Sequence, residues 1–368
     1  MPIRVRPASP WPTRWRSNAP PNCWRARTPT SNEEPATMMR ALLLMLALAI
    51  SGAPQAASLK IATLAPDGST WMREMRAAGE RIEAATDGRV RVRLYPGGVM
   101  GNDTTVLRKI RLGQLHGGAF TGSELSVVHG DSQVYSVPFL FSSYEEVEAV
   151  RTKVDPMLER GFAAAGFEIV GITGVGFAYM MSVREVRTRQ DLRAAKVWVP
   201  QSDTIAERTF ALAGVKPIPL ALADAFTGLQ TGLIDTVAST PAGAIALQWH
   251  TRIRHVFDFP VSYVVGYVAL DARALARLSE ADRSAVRDAF ALAAANIDAS
   301  NRRDNAQALA ALQGQGIRVH QPTPAEVRDW GALGERILEV LVDEGTFTPE
   351  VIGSIRAELA EIRQSSAP

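Results

Sequence analysis

The most informative segment of the sequence is residues 279–312, 34 residues that contain no Gly or Pro. It is rich in Ala, Leu and Arg, which favour helix, and as one helix it would be about 51 Å long. A single lobe of about 150 residues does not need so long a helix. We therefore predict a rigid helix that spans two lobes. The alternative is two helices with a bend near residues 296–301.

The N-terminal region has the pattern of a secretory leader. Residues 41–50 form an uncharged apolar run that follows Arg40 and precedes a stretch of small residues, which predicts a signal peptide over residues 38–57. Ten apolar residues rise only about 15 Å as a helix, so we do not expect a permanent membrane span. We interpret residues 1–37 as a disordered product of a mis-set translation start, the alternative being a functional extension. The predicted location is the periplasm.

The charge and the single cysteine exclude several kinds of protein. Without residues 1–57 the chain has 33 basic and 36 acidic side chains, a net charge of −3, which removes the main support for a nucleic-acid partner. Cys23 lies in the leader, so disulfides, zinc–thiolate sites and cysteine nucleophiles are not expected in the mature protein.

Strand and helix patterns alternate along the rest of the chain. Residues 59–64 are a short apolar strand, Ser69 is placed to cap the following helix, and residues 89–94 alternate as a half-exposed strand. A second set of such units follows, including a helix that starts at Pro241 after Thr240. This order favours an α/β fold with a mostly parallel sheet.

The sequence contains no motif of a known catalytic class. It has no Walker phosphate loop, HExxH, GxSxG or EF-hand spacing, and its five histidines form no metal-ligand pattern. We interpret all five histidines as surface or internally bonded residues. A catalytic pair of carboxylates is not indicated by any spacing, so we predict that the protein is not an enzyme.

An α/β fold of two lobes offers a cleft instead. In open α/β sheets, ligands collect beyond the carboxyl ends of the strands. The segments expected at such ends are rich in amides, hydroxyl groups and aromatic rings and poor in charge, as a small-molecule site requires. These segments are residues 64–71, 121–123, 177–181, 198–203 and 239–241.

Several stretches, taken in order, resemble the DctP-type extracytoplasmic solute receptors of TRAP transporters. They are KIATLAP at 60–66, RVRLYPGGVMG at 91–101, VPFLF at 137–141, DLRAAKVWVP at 191–200 and DAFTGLQTGLID at 224–235. The resemblance covers residues 59–362. It implies a two-lobed periplasmic-binding-protein fold with crossing hinge strands and a long lobe-spanning helix. We predict lobe I from residues 58–175 and 261–300, and lobe II from residues 176–260 and 301–368.

The sequence departs from the family at the position that usually binds the ligand carboxylate. The family has an arginine where this chain has Trp198, and a second basic position of sialic-acid-type members aligns with Ala178. Indole offers one neutral donor and a flat apolar face, where arginine offers two parallel charged hydrogen bonds. The acidic residue of metal-holding members, near residues 238–241, is also missing, so we predict no metal and no cofactor.

Three interpretations of this departure stay open. Trp198 is a stacking wall for a bulkier ligand, or an acidic ligand is held by the amides at the start of the Pro241 helix, or Trp198 packs between sheet and helix. The candidate ligand-binding residues are Ser69, Trp71, Thr121, Phe177, Tyr179, Trp198, Ser239, Thr240 and Tyr263.

The predicted function is capture of a small organic solute by lobe closure and its delivery to the membrane permease. The resemblance implies the small and large TRAP permease subunits as partners, and we expect a monomer that binds no nucleic acid and does not itself span the membrane. The alternatives are a secreted two-lobed α/β hydrolase or lyase, or a receptor that serves a sensor or another transporter.

Overall fold

The structure is a computed structural model that describes residues 56–201 and 203–365. The mis-set start over residues 1–37 lies outside the described residues, as does the signal peptide up to residue 55. Ala57, the last residue of the predicted signal peptide, is the first residue of the first strand. Among the described residues, no helix is both long and apolar enough to cross a membrane.

The strands are short except for two. They are β1 (Ala57–Thr63), β2 (Val90–Tyr95), β3 (Gly117–Thr121), β4 (Phe167–Ser182), β5 (Trp198–Pro200), β6 (Ile218–Leu220), β7 (Thr236–Ser239), β8 (His255–Asp271) and β9 (Arg318–His320).

Helices follow or separate most of the strands. They are α1 (Thr70–Ala85), α2 (Asp103–Arg111), α3 (Gly122–Leu125), α4 (Tyr144–Ala164), α5 (Arg189–Arg193), α6 (Thr204–Leu212), α7 (Leu222–Thr231), α8 (Pro241–Ala246), α9 (Ala272–Leu275), α10 (Glu280–Gly314), α11 (Pro324–Asp343) and α12 (Pro349–Ser365), with 3₁₀ turns at Gly130–Ser136 and Trp249–Thr251.

The two long strands, β4 and β8, are antiparallel and connect two groups of strands. At one end β8 pairs with β3, which leads through β1 to β2; at the other end β4 pairs with β7, and β8 pairs with β9. The small sheet β5–β6 is parallel. The prediction of a mostly parallel sheet holds for the pairs β1–β2, β1–β3 and β8–β9 of the large sheet. It is wrong for the centre of that sheet, because the pairs β3–β8, β4–β8 and β4–β7 are antiparallel. Crossing strands were expected, and the structure has them.

The long helix is continuous, so the prediction of one helix is confirmed and the two-helix alternative is wrong. Helix α10 has 35 residues, and the hydroxyl of Ser279 caps it by accepting a hydrogen bond from the backbone N–H of Asp282. The helix packs against α1, β4 and α8 in turn, so it reaches both groups of strands.

Other local predictions also hold. Ser69 accepts from the N–H of Met72 at the start of α1, and Thr240 accepts from the N–H of Gly243 at the start of α8. The last helix, α12, packs on α4, where Arg363 Nε donates to Glu146 Oε1 over 2.8 Å.

Candidate functional site

A cleft of about 660 Å³ opens where β1 and β3 end and the long helix passes. One wall is made by the loop after β1, the start of α1 and the end of β3. The opposite wall is made by α8 and the second half of α10, with Val175 of β4 and Gly266 of β8 at its floor. The lining is mainly apolar, and this position is the one expected for a ligand in an open α/β sheet.

The start of α1 places Trp71 against the central sheet. The ring meets Gly266, where an added Cβ would lie 3.0 Å from Trp71 Cη2, so a larger residue on β8 would displace the indole. Trp71 Nε1 is buried without a hydrogen-bond partner among the described residues. Trp71 therefore presents an apolar face to the cleft.

Arg73, two residues after Trp71, also lines the cleft and supplies positive charge. Its Nη1 donates to Gly68 O over 2.8 Å, and its Nη2 donates to Thr70 Oγ1 over 2.9 Å. These bonds hold the guanidinium at the rim and leave further N–H groups for a ligand, because arginine has five. Among the described residues that line the cleft, Arg73 is the one Lys or Arg.

Two carboxylates also line the cleft. Glu124 is buried, and its Oε2 accepts from the backbone N–H of Thr121 over 2.7 Å; burial raises the pKa of Glu124 to about 7. Asp304 lies on α10, and its Oδ2 accepts from Thr70 Oγ1 over 3.4 Å. Thr70 thus links the guanidinium of Arg73 to the carboxylate of Asp304, from one wall of the cleft to the other.

The backbone amides at the start of α8 are already hydrogen-bonded. Ala242 N donates to Asn305 Oδ1 over 3.1 Å, and Gly243 N donates to Thr240 Oγ1 over 3.0 Å. Thr240 and Ser239 are buried, and neither lines the cleft. A ligand anion at this helix start would have to displace bonds within the protein.

Trp198 lies in a buried cluster and not on the cleft. The residue is 5% exposed, and its Nε1 donates a hydrogen bond to Leu220 O over 3.1 Å. Its ring contacts that of Trp249 edge-on, with 5.1 Å between the ring centroids. The one polar atom of the indole is thus already hydrogen-bonded to a backbone carbonyl. This geometry fits the packing interpretation of Trp198.

The remaining aromatic candidates pack with one another on the crossing strands. Phe177 and Tyr263 meet edge-on at 5.1 Å, and Tyr144 contacts both rings. Burial raises the pKa of Tyr179 to about 12. None of these side chains lines the cleft described above.

Three of the nine candidates, Ser69, Trp71 and Thr121, therefore line the cleft together, and the other six lie elsewhere. The charged lining residues Arg73, Glu124 and Asp304 were not among the candidates. Glu124 stands three residues after Thr121, a capping-box spacing that points to a helix start beside the predicted strand end. Asn301 and Asp304 lie at i and i+3 on one face of α10, but the sequence does not say which face of the helix contacts the cleft.

A family model describes most of the chain. The model of the bacterial extracellular solute-binding proteins, family 7, named DctP, matches residues 61–343.

Individual proteins give the same picture. The uncharacterized protein YiiZ of Salmonella typhimurium is 29% identical over 184 residues, which are 49% of this chain and 56% of that protein. The C4-dicarboxylate-binding periplasmic protein DctP of Rhodobacter capsulatus is 23% identical over 286 residues, 77% of this chain and 85% of that protein. The crystal structure of a TRAP periplasmic solute binding protein from Desulfovibrio salexigens, with bound orotic acid, superposes with a TM-score of 0.77 and 18% identity, covering 83% of this chain and 99% of that one.

Proposed function

This chain belongs to family 7 of the bacterial extracellular solute-binding proteins, and we propose that it captures a small organic acid in the cleft between β1, β3, α8 and α10. It is a DctP-type solute receptor with the two-lobed α/β fold. Membership of a family of binding proteins does not favour the alternative of a secreted hydrolase or lyase.

The observation that carries the proposal is the composition of the cleft. An apolar lining with a single guanidinium and two carboxylates suits a ligand that has one anionic end, a compact apolar body and hydrogen-bond donors. Arginine binds a carboxylate through two parallel charged hydrogen bonds, so Arg73 is the partner that we propose for the anionic end. One similar protein is named for binding C4-dicarboxylates and another was crystallised with bound orotic acid, which supports this ligand class.

The remaining polar groups of the cleft would select the rest of the ligand. Glu124 and Asp304 accept hydrogen bonds, so they favour hydroxyl or N–H groups on the side of the ligand away from its carboxylate. Trp71 offers a flat face for a ring or an alkyl chain. The proposed ligand is therefore an organic acid that also carries at least one hydrogen-bond donor.

We propose capture by closure of two lobes, residues 58–175 with 261–300 and residues 176–260 with 301–368. The two long strands and α10 join these lobes, while α12 packs back onto α4 of the first lobe. The closed receptor, in the periplasm after removal of the leader at residues 38–57, would deliver its ligand to the small and large subunits of a TRAP permease.

A ligand screen tests the proposal. The protein is melted in the presence of single organic acids, sugars, polyols, amino acids and osmolytes, and a compound that raises the Tm is measured by calorimetry. Ligand at a hundredfold excess over Kd stabilises the folded state by about 2.7 kcal/mol. We expect stabilisation by an organic acid that is recovered chemically unchanged. Stabilisation only by uncharged compounds, or conversion of the acid, would contradict the proposal.

A further inference from the structure

Three side chains with metal-binding atoms meet outside the cleft. His255 begins β8, His320 ends β9, and Glu185 follows the end of β4. One ligand atom of each lies within 4.8 Å of the others, and both imidazoles are half-buried. None of the three residues lines the cleft, and they come from three separate segments of the chain.

The geometry of the two imidazoles suits a shared ion. His255 Nδ1 and His320 Nε2 share a hydrogen bond of 2.9 Å, in which a metal ion would take the place of the proton. With metal–nitrogen bonds of about 2.0 to 2.1 Å, two nitrogens on one ion lie about 2.9 Å apart at a right angle and about 3.3 Å apart in a tetrahedron. The observed separation is therefore close to that of two neighbouring ligands of one metal.

The carboxylate completes a recurring arrangement of metal sites. Glu185 Oε1 lies 3.4 Å from His320 Nδ1, the ring nitrogen that faces away from His255. Metal-binding histidines usually donate the N–H of their other nitrogen to a carboxylate or a carbonyl, which fixes the tautomer. With its proton on Nδ1, facing Glu185, His320 would direct the Nε2 lone pair towards His255.

The surroundings hold these groups in place. The parallel ladder pairs His255 with Arg318 and Phe257 with His320, so the strands fix both imidazole positions. Arg187 Nη1 lies 3.8 Å from Glu185, but Arg187 also donates two 3.0 Å hydrogen bonds to Glu326, from Nε and Nη2. The charge of Arg187 is thus balanced by Glu326.

We propose that His255 Nδ1 and His320 Nε2 bind a divalent transition-metal ion, with Glu185 orienting His320 and water in the remaining positions. Imidazole nitrogen suits Zn²⁺, Ni²⁺ and Cu²⁺, whereas Mg²⁺ and Ca²⁺ prefer oxygen ligands. The bound ion connects the start of β8 with the end of β9, and Glu185 supports it from the segment after β4.

Calorimetric titration of the purified protein with ZnCl₂, without any solute, tests the site. We expect one ion per chain, at least tenfold weaker binding in each of His255→Gln and His320→Gln, and about tenfold weaker binding in Glu185→Gln. The control is His250→Gln, since the half-buried His250 lies outside the cluster and its Nδ1 contacts Ala244 O. Its affinity should equal that of the wild type. No binding by the wild type, or unchanged binding by His255→Gln, would overturn the site.

A measurement on the unaltered protein covers the case in which a variant does not fold. The chain has five histidines, so their imidazole resonances can be followed by NMR during addition of Zn²⁺. Two rings, those of His255 and His320, should shift at one equivalent of Zn²⁺. Equal shifts of all five, or shifts confined to the other three, would overturn the site. Because the cluster is outside the cleft, either result leaves the proposed solute function untouched.

Discussion

At the scale of single residues, the proposed function depends on Arg73, which lines the cleft. Arg73→Gln removes the positive charge and keeps most of the side-chain length. We expect the Kd of the organic acid to rise at least tenfold, because a charged hydrogen bond contributes about 1.5 to 3 kcal/mol. Calorimetry with the acid found in the screen measures the change.

The matched control for Arg73 lies on the same helix. Arg76 pairs with Asp67 over 2.6 Å at the surface and does not line the cleft. Arg76→Gln should therefore bind the acid as the wild type does. Equal losses in the two variants would point to a general effect of charge and would count against Arg73 as the ligand partner.

The variant Trp198→Ala distinguishes a tryptophan that forms a ligand wall from one that is packed in the core. Because its indole is buried and donates to Leu220 O, Trp198→Ala should lower the free energy of unfolding by about 3 to 5 kcal/mol. The folded variant should keep its Kd within threefold. Denaturant unfolding and calorimetry give the two numbers, and a tenfold weaker Kd at unchanged stability would restore the ligand-wall interpretation.

Glu124 makes the stability depend on pH. Burial raises its pKa from 4.5 to about 7, so the folded state binds the proton more tightly than the unfolded state. The resulting stabilisation is complete below pH 4.5 and is lost as the pH rises through 7, by up to about 3 kcal/mol. Glu124→Gln should remove this slope and be more stable than the wild type at pH 8, as measured by urea unfolding across pH.

A second buried acid is the control for this pH effect. Burial raises the pKa of Asp203, which caps α6, to about 6. Asp203→Asn should therefore flatten the stability curve only up to about pH 6 and leave the loss near pH 7 in place. A wild-type stability that is constant between pH 5 and 8 would contradict the buried, protonated Glu124.

The sequence predicted the site residues that follow from backbone position. Thr121 ends β3, and Ser69 and Trp71 stand at the capped start of α1, so a pattern of apolar runs and caps can locate all three. Arg73 and Asp304 were missed because each projects from a helix, and only packing decides which helix face meets a cleft. Packing also decides the position of Trp198, since a tryptophan on a short strand can face the core or the cleft depending on the neighbouring elements.

At the scale of elements, α10 is the feature that the sequence indicated most directly. An uninterrupted stretch without Gly or Pro has no signal to end a helix, and in the structure the helix continues without a break from Glu280 to Gly314. The antiparallel run of β4 and β8 was not expected as the centre of the sheet, since both strands read as continuous apolar segments without direction. The direction of each strand depends on how the chain crosses between the lobes, and local sequence patterns do not indicate this.

Asn305 ties α10 to the elements on either side of it. Its side chain accepts from Ala242 N of α8 over 3.1 Å and donates to Val175 O of β4 over 2.9 Å, in a buried residue. Asn305→Ala leaves both backbone groups without a partner, and we expect a loss of about 2 to 4 kcal/mol in the free energy of unfolding.

The control for Asn305 is a second asparagine of the same helix. Asn296 Nδ2 donates to Glu74 Oε2 over 2.8 Å in an exposed pair. Asn296→Ala should change the free energy of unfolding by less than about 0.5 kcal/mol. Urea unfolding of both variants measures the difference, and equal values would mean that Asn305 does not connect the elements as described.

At the scale of the whole molecule, the family resemblance and the elements agree. The family model covers residues 61–343, and the two groups of strands joined by β4, β8 and α10 are the arrangement that a two-lobed receptor needs. The family model does not decide the ligand, and the resemblance implied a carboxylate-binding arginine at the position where this chain has Trp198. The charge of the cleft, and so the ligand class, follows from packing that only the structure records.

Small-angle X-ray scattering with and without the stabilising acid tests lobe closure most directly. Capture between hinged lobes predicts a smaller radius of gyration and a narrower distance distribution when the acid is present at saturation, with Arg73→Gln responding only at higher concentration. Identical scattering profiles for the free protein and for its complex with every acid that binds tightly would contradict capture by closure.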